Sequence, residues 1–514
     1  MVPPPANPGA VPSTRSVKSA TPTRAQWSQY SVDEADKAVA DAVCQWPSAI
    51  SFNPVIDGID YSILVRQRLW SIVSGYVRGL RNTCRADASM QEDEAELRNS
   101  SALLCRPRSS RYQHLRDLGR RTFSLLRWLP MDASRRIRGR PVILVPFAHP
   151  RWKHTRAAIE RTGLAMASEM PVWHSIRRNQ LQIQAGEFAD WFVDRITDGL
   201  RQWSVELSPE QSQKLRHSVA ASRACLALAE RTLERMNPAL LFVNTAATSP
   251  GIEYVLAARR RSLPVVAVQY GLDCDHHAYD DAFADHLAVW SESRRSEYLK
   301  NSAMKPATIE VTGNPEYDRC RLPERSSTSG SYWLWVTRPH PASCCKLVSQ
   351  EPTEGLAILG ALLDALQMQP RQRLVIKPHP KDYGELYVRL IRARGLSDRV
   401  MVTARPLRRL VPQASVVITE DTTAGLDALF YAKPMIHARF AATAAVLPFA
   451  DYEAALPASD PDQLIEAIRC LAGNQNRASQ LEGQRRFLRD FAGHIDGRSS
   501  ERLTEFLAGT SAVR

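Results

Sequence analysis

Leu374-Val375-Ile376-Lys377-Pro378-His379-Pro380 and Val416-Val417-Ile418-Thr419-Glu420-Asp421-Thr422-Thr423-Ala424-Gly425-Leu426-Asp427-Ala428-Leu429 lie in the C-terminal half of the chain. Each is a short β-branched apolar run that ends in polar residues suited to holding phosphate. Such runs read as buried strands of a parallel sheet. The second run opens directly into a helical pattern. Two strand ends that deliver polar groups to one edge of an open α/β sheet build a ligand crevice. Hydroxyls at a helix start add backbone N–H groups and the positive end of the helix dipole.

Working outward, the same alternation recurs. Further strands are predicted over 332–336, 400–402 and 434–437, with helices over 354–367, 460–472 and 484–492. An earlier series begins at Pro141-Val142-Ile143-Leu144-Val145-Pro146. A long helical region follows it, to about residue 236. Strands are then predicted over 239–243, 265–269, 286–290 and 308–312, with a helix over 250–261. Strands separated by helices at this pitch argue for parallel sheets. The polar stretch 323–330, with Ser326-Ser327-Thr328-Ser329 inside it, reads as an interdomain linker. The expected class is α/β, with two doubly wound Rossmann-like domains over 141–322 and 331–475. Closing helices are expected over 476–514.

The first 140 residues differ in texture. Residues 1–30 are rich in Pro, Ser, Thr and Ala and carry no acidic residue, so they read as a disordered tail. Residues 31–140 read as a basic helical extension. Trp46, Leu64, Leu69, Trp70, Ile72, Val73 and Tyr76 are its expected buried positions. The window 101–140 holds eleven arginines against Asp117 and Asp132, or 11 − 2 = +9 of the chain's net +13. Leu115, Leu118, Phe123, Leu125, Leu126, Trp128 and Leu129 recur there at roughly helical spacing. One reading is a basic amphipathic helix packed on its own protein. The other is a helix lying on an anionic membrane surface. No RRM, KH or zinc-finger signature supports nucleic-acid binding.

The chain has 514 residues, 44% of them hydrophobic, which suits two or three globular domains. No apolar run approaches the roughly 18–20 residues of a spanning helix, and no signal peptide is read at the N-terminus. The nine cysteines are odd in number and form no C-x-x-C pair. They point to a reduced, cytoplasmic protein without a disulfide framework or zinc site.

The C-terminal half resembles GT-B glycosyltransferases of bacterial surface-polysaccharide synthesis, in particular the Kdo transferases and polysialyltransferases. The resemblance covers roughly 240–440. It rests on His379-Pro380, on Thr422-Thr423, and on Gly425-Leu426-Asp427-Ala428-Leu429-Phe430-Tyr431-Ala432-Lys433-Pro434, which is similar to a "G-L-E-A-L-x-x-G-K-P" helix. Val268-Gln269-Tyr270-Gly271 and Val311-Thr312-Gly313-Asn314-Pro315-Glu316-Tyr317-Asp318 resemble "Q-H-G" and "G-N-P-x-x-D" segments. Asp427, Ala432 and Tyr270 depart from those patterns.

The resemblance implies a GT-B fold, with its two domains facing across a cleft. It also implies an inverting sugar transfer from a nucleotide-activated donor to a surface glycan or glycolipid, at the inner face of the membrane. A CMP-sugar such as CMP-Kdo is favoured; UDP- and GDP-sugars stay open. No resident cofactor and no metal are implied. The donor site would use His379, Thr422, Thr423, Gly425 and Asp427; Lys377, two residues before His379 on the same strand, and Arg338, at the first loop of the second Rossmann-type domain, join it by position.

The residues themselves support such chemistry. Sugar transfer needs the leaving phosphate stabilised and a base for the acceptor proton. His379 can donate to phosphate, and Lys377 leans to the same face. Asp273, Asp275 and His276 follow a strand end and can supply the base, although Asp and His also suit a metal. His149 and Arg151, with Gln269 and Asn314, are the acceptor-side candidates. Glu420 and Asp421 are expected to turn away from phosphate, or to meet a sugar hydroxyl.

Two other enzyme readings stay open. Asp421-Thr422-Thr423 also fits the CDP-glycerol glycerophosphotransferases. Val311-Thr312-Gly313-Asn314 fits the UDP-GlcNAc 2-epimerases, but the Ser-Gly-Gly and paired Glu of that family are missing after Thr419. A non-catalytic membrane-surface scaffold is the alternative of another class.

Overall fold

The computed structural model describes residues 22–85, 140–146, 153–168, 181–244, 246, 249–269, 271–272, 284–301, 306–324, 330–341, 345, 347–348, 350–440, 447–472 and 477–512. The basic window up to residue 139, the loop with His149 and Arg151, and the segment with Asp273, Asp275 and His276 lie outside these residues.

Three helices open the chain: α1 (Arg24–Gln29), α2 (Val32–Ala49) and α3 (Tyr61–Arg85). A short hairpin, β1 (Val55–Ile56) with β2 (Ile59–Asp60), separates the last two. Thr23 and Ser31 start α1 and α2 with capping boxes, each satisfying two exposed N–H groups. Helix α1 falls inside the stretch expected to be a disordered tail. Its Trp27 is fully buried and donates its indole N–H to Trp203 O at 2.7 Å, and this burial holds the segment in place.

The first sheet is wholly parallel, in the order β4-β3-β5-β6-β7-β8. Its strands are β3 (Val142–Val145), β4 (Ala165–Ser168), β5 (Leu240–Val243), β6 (Val265–Val268), β7 (His286–Val289) and β8 (Thr308–Val311). The connecting helices are α4 (Lys153–Arg161), α5 (Gly186–Arg201), α6 (Pro209–Met236), α7 (Gly251–Arg260) and α8 (Glu292–Asn301). Strand β4 corrects the expectation of one long helical region to residue 236. The opening helices are part of this domain's core. Trp46, Leu69, Trp70 and Val73 pack with Phe192, Val193, Leu215 and Val219 of α5 and α6.

The second sheet is also parallel, in the order β11-β10-β9-β12-β13-β14. It consists of β9 (Tyr332–Val336), β10 (Leu374–Lys377), β11 (Val400–Val402), β12 (Ala414–Thr419), β13 (Met435–Ala438) and β14 (Leu456–Ala458). Its helices are α9 (Glu354–Gln367), α10 (Gly384–Ala393), α11 (Leu407–Leu410), α12 (Gly425–Phe430) and α13 (Pro461–Ala472). Counted from β9, this is the 3-2-1-4-5-6 order of a dinucleotide-binding Rossmann domain. Two doubly wound parallel domains, one on each sheet, are the GT-B arrangement.

Helix α14 (Arg477–Phe487) stays with the second domain, where Gln480 bonds both the N–H and the C=O of Met435. The chain then crosses back. At Gly493 φ is +75°, and a Cβ would lie 1.9 Å from Trp290 O, so no side chain fits. Helix α15 (Ser499–Ala512) finishes the first domain. Leu503 and Leu507 join Ile143, Val145 and Phe242 in one core. Ser499 N and Ser500 N donate to the Asp318 carboxylate at 2.8 and 2.9 Å. No helix among the described residues is long and apolar enough to cross a membrane.

Candidate functional site

The second sheet reverses its strand order between β9 and β12, and open α/β sheets bind ligands outside the carboxyl ends of the strands at such a point. All five residues of β9, Tyr332-Trp333-Leu334-Trp335-Val336, are buried, as a central strand requires. Beyond the strand ends lie Thr337, Arg338 and His340 after β9, His379 after β10, and Glu420 to Thr423 after β12. Lys377 is the last residue of β10. Hydrophobic runs on three separate strands thus bring together groups up to 86 residues apart (337 to 423).

His379 is half-buried, and its geometry names its protonation. Its Nδ1 accepts the N–H of Lys381 at 3.2 Å. The proton of the neutral ring therefore sits on Nε2, which is left as a donor. Burial pushes the imidazole pKa down; Lys381 and Lys377 add to that, while Asp382 opposes it. A neutral ring presenting Nε2–H suits hydrogen bonding to a phosphate oxygen. Burial also lowers the Lys377 pKa, and its ammonium donates to Pro378 O at 3.2 Å.

Arg338 is engaged within the protein. Its guanidinium is buried against two carboxylates, with Nη2 2.5 Å from Glu354 Oε2 and Nε 3.7 Å from Glu420 Oε2. Burial works against its charge, but Glu354 and Glu420 more than restore it, and the net pKa is raised. Arg338 is spent on its own protein. Glu420 also accepts from Trp335 Nε1 at 3.1 Å and lies 2.8 Å from His340 Nε2. Burial raises the Glu420 pKa, opposed by His340 and Arg338. Donor atoms of His340, Glu354 and Glu420 lie within 4.8 Å of one another, close enough to share a metal ion. The guanidinium beside both carboxylates already supplies the compensating cation.

The acidic pair before the threonines turns inward to protein groups. Asp421 faces His437 Nε2 and Arg439 Nε, each at 3.2 Å, and accepts Leu447 N at 3.1 Å. Burial opposes its ionisation, but the His437 hydrogen bond and Arg439 hold its pKa low.

The threonine pair divides. Thr423 Oγ1 accepts the N–H of Leu272 at 2.8 Å, joining the second domain to the first. Thr422 Oγ1 receives only a long bond from Ala424 N, at 3.4 Å. Its own O–H proton meets no acceptor among the described residues and suits a ligand oxygen. Three of the helix-start amides are engaged within the protein. Thr422 N bonds Glu420 O, Gly425 N bonds Thr422 O, and Leu426 N bonds Thr423 O, at 2.7 to 3.0 Å.

Three other candidate residues also make contacts within the protein. Gly425 is required by packing, since a Cβ there would lie 2.8 Å from Phe449 Cζ. Gln269 is buried, donating to Gly271 O and accepting Trp290 N, both at 2.8 Å. Asn314 accepts Glu316 N at 3.0 Å and caps the turn Pro315–Tyr317. Asp427 differs: it is half-buried on α12, and its pKa is pushed up to about 6, by burial first and then by Glu316, with Arg408 opposing. Beside it, Tyr317 packs on Phe430 at 4.6 Å between ring centres.

No protein-family model and no curated protein matches the chain. Solved structures align with it at low identity. The UDP-GlcNAc 2-epimerase of Neisseria meningitidis bound to UDP-GlcNAc is 13% identical, with a TM-score of 0.46 over 72% of this chain and 100% of that one. S. aureus MnaA with UDP is 13% identical, with a TM-score of 0.48 over 71% and 96%. A glycosyltransferase from Rickettsia africae is 10% identical, with a TM-score of 0.40 over 72% and 99%.

Proposed function

We propose that this protein is a glycosyltransferase that uses a nucleotide-activated sugar and seats the donor phosphate at the carboxyl ends of β10 and β12. The observation that carries the reading is His379, a neutral imidazole presenting Nε2–H at the strand-order reversal of a Rossmann-type sheet. Lys377 and the Thr422 hydroxyl flank it. In the transfer, the acceptor hydroxyl oxygen attacks the anomeric carbon while a base takes its proton. The bond from that carbon to the phosphate oxygen breaks, and the nucleotide leaves as an anion. Donors already aimed at that oxygen stabilise the charge as it develops. Asp273, Asp275 and His276 are the proposed source of the base. A CMP-sugar donor and a surface-glycan acceptor follow from the sequence resemblance alone.

Binding of CMP, CDP, UMP, UDP and GDP to the full chain, read by thermal stabilisation, tests this. One nucleotide should raise the melting temperature with its concentration, and His379→Ala should abolish the shift while retaining a cooperative melt. An equal response from wild type and variant would remove His379 from the site. Release of that nucleotide only when a sugar donor and an acceptor glycan are both present would establish transfer. Interconversion of a nucleotide sugar without an acceptor would favour an epimerase.

A further inference from the structure

The proposed phosphate seat depends on where His379 is held, and a residue outside every motif holds it. Asp382 Oδ1 accepts the N–H of His340 at 3.2 Å. Its Oδ2 accepts the Tyr387 hydroxyl at 3.0 Å and also the Thr337 hydroxyl. Thr337 Oγ1 in turn accepts the N–H of His379 at 3.0 Å. Asp382 N donates to His379 O at 2.9 Å. One carboxylate thus ties the loop after β9, the loop after β10 and helix α10 into a single unit.

We propose that Asp382 is the positioning residue for His379, acting through the Thr337 hydroxyl. The argument turns on proton direction. A threonine hydroxyl has one proton and two lone pairs, and an ionised carboxylate only accepts. Asp382 therefore draws the Thr337 proton toward itself and leaves a Thr337 lone pair for His379 N. The backbone of His379 is fixed on one side by this bond. Its ring is fixed on the other by Lys381 N, which leaves the proton of the neutral ring on Nε2. Three charged groups act on the ring: Asp382 favours its protonation, Lys381 and Lys377 oppose it.

The inference rests on the reading of His379 as the phosphate donor, so its test separates the two. The probes are the nucleotide selected by the panel above and its unphosphorylated nucleoside, bound to the full chain. The His379 ring is also titrated by nitrogen-15 NMR without ligand. Asp382→Asn turns its amide N–H groups either toward the two hydroxyls or toward the N–H of His340, so the three-way tie cannot be kept in either orientation. The substitution should weaken nucleotide binding about tenfold or more, leave nucleoside binding unchanged and lower the His379 midpoint. Thr337→Val should weaken nucleotide binding similarly, whereas Thr337→Ser should restore it. Nucleotide affinity and His379 titration unchanged in both Asp382→Asn and Thr337→Val would overturn the proposal. If wild type binds no nucleotide, the donor reading fails on its own. The His379 titration then still decides the role of Asp382: an unmoved midpoint refutes it and a lowered one supports it.

Discussion

Arg338 is a cation held between Glu354 and Glu420, and its neighbours decide what its removal would do. Deleting it leaves two buried carboxylates with reduced compensation, and breaking a buried pair from one side costs about 3–5 kcal/mol. Arg338→Ala should therefore lower the denaturation midpoint sharply in the absence of any ligand. Stability like that of wild type, with only nucleotide binding lost, would return Arg338 to the ligand. Asp427 makes a pH prediction. Its carboxyl holds a proton more tightly in the folded chain than at its ordinary value of 3.8. The folded state therefore gains from protonation at low pH, and loses that gain as pH rises through about 6. Asp427→Asn should be more stable than wild type at alkaline pH, by up to roughly 3 kcal/mol. The advantage should close as pH falls from about 6 toward 3.8. Urea melts across that range read it directly, and a pH-independent difference would contradict it.

At the scale of the element, helix α9 reaches the site because position 355 carries no side chain. A Cβ on Gly355 would lie 2.5 Å from His340 Cδ2 and 2.7 Å from the Tyr387 hydroxyl, and both rings are fully buried. Gly355→Ala should cost about 1–3 kcal/mol as an overpacked core, seen as a fall in melting temperature; an unchanged melt would mean that α9 can shift freely. Elements were legible in the sequence where burial is two-sided. Strands β9, β10 and β12 are the centre of their sheet, and their continuous apolar runs show it. Strands β4 and β14 are edges built of Ala165-Met166-Ala167-Ser168 and Leu456-Pro457-Ala458. Small residues and a proline give no β-periodic signal, and pairing with a neighbour alone makes them strands.

Across the whole molecule, the opening helices bind the second domain as well as the first. Arg78 on α3 donates to Leu347 O at 2.8 Å and to Val348 O at 3.4 Å. Asp36 on α2 accepts Val348 N at 2.6 Å. Val348 is buried within the first domain's core, although it belongs to the connection between β9 and α9. Hydrogen bonds from a charged donor are worth about 1.5–3 kcal/mol, so Arg78→Ala should loosen this connection specifically. Amide hydrogen exchange at Val348 should quicken while the β9 amides keep their protection. Equal exchange in wild type and variant would mean that the contact holds nothing.

The alternation of apolar runs and helical periodicity by itself determined two doubly wound parallel domains, and it marked the strand ends after β10 and β12 as the polar edge. These are local properties, because a strand or helix buries its own pattern of side chains. Only the tertiary structure decided how the polar residues at that edge are spent. Trp335 and Glu420 are 85 residues apart, Leu272 and Thr423 are 151 apart, and Thr337 and His379 are 42 apart. A carboxylate, a guanidinium or a hydroxyl looks the same in sequence whether a ligand or a distant part of the chain will satisfy it. Folding assigns Arg338, Glu420 and Thr423 to the protein, because a buried polar group without a partner is too costly to leave. His379 and Thr422 stand at the carboxyl ends of β10 and β12, where the proposed phosphate site needs them.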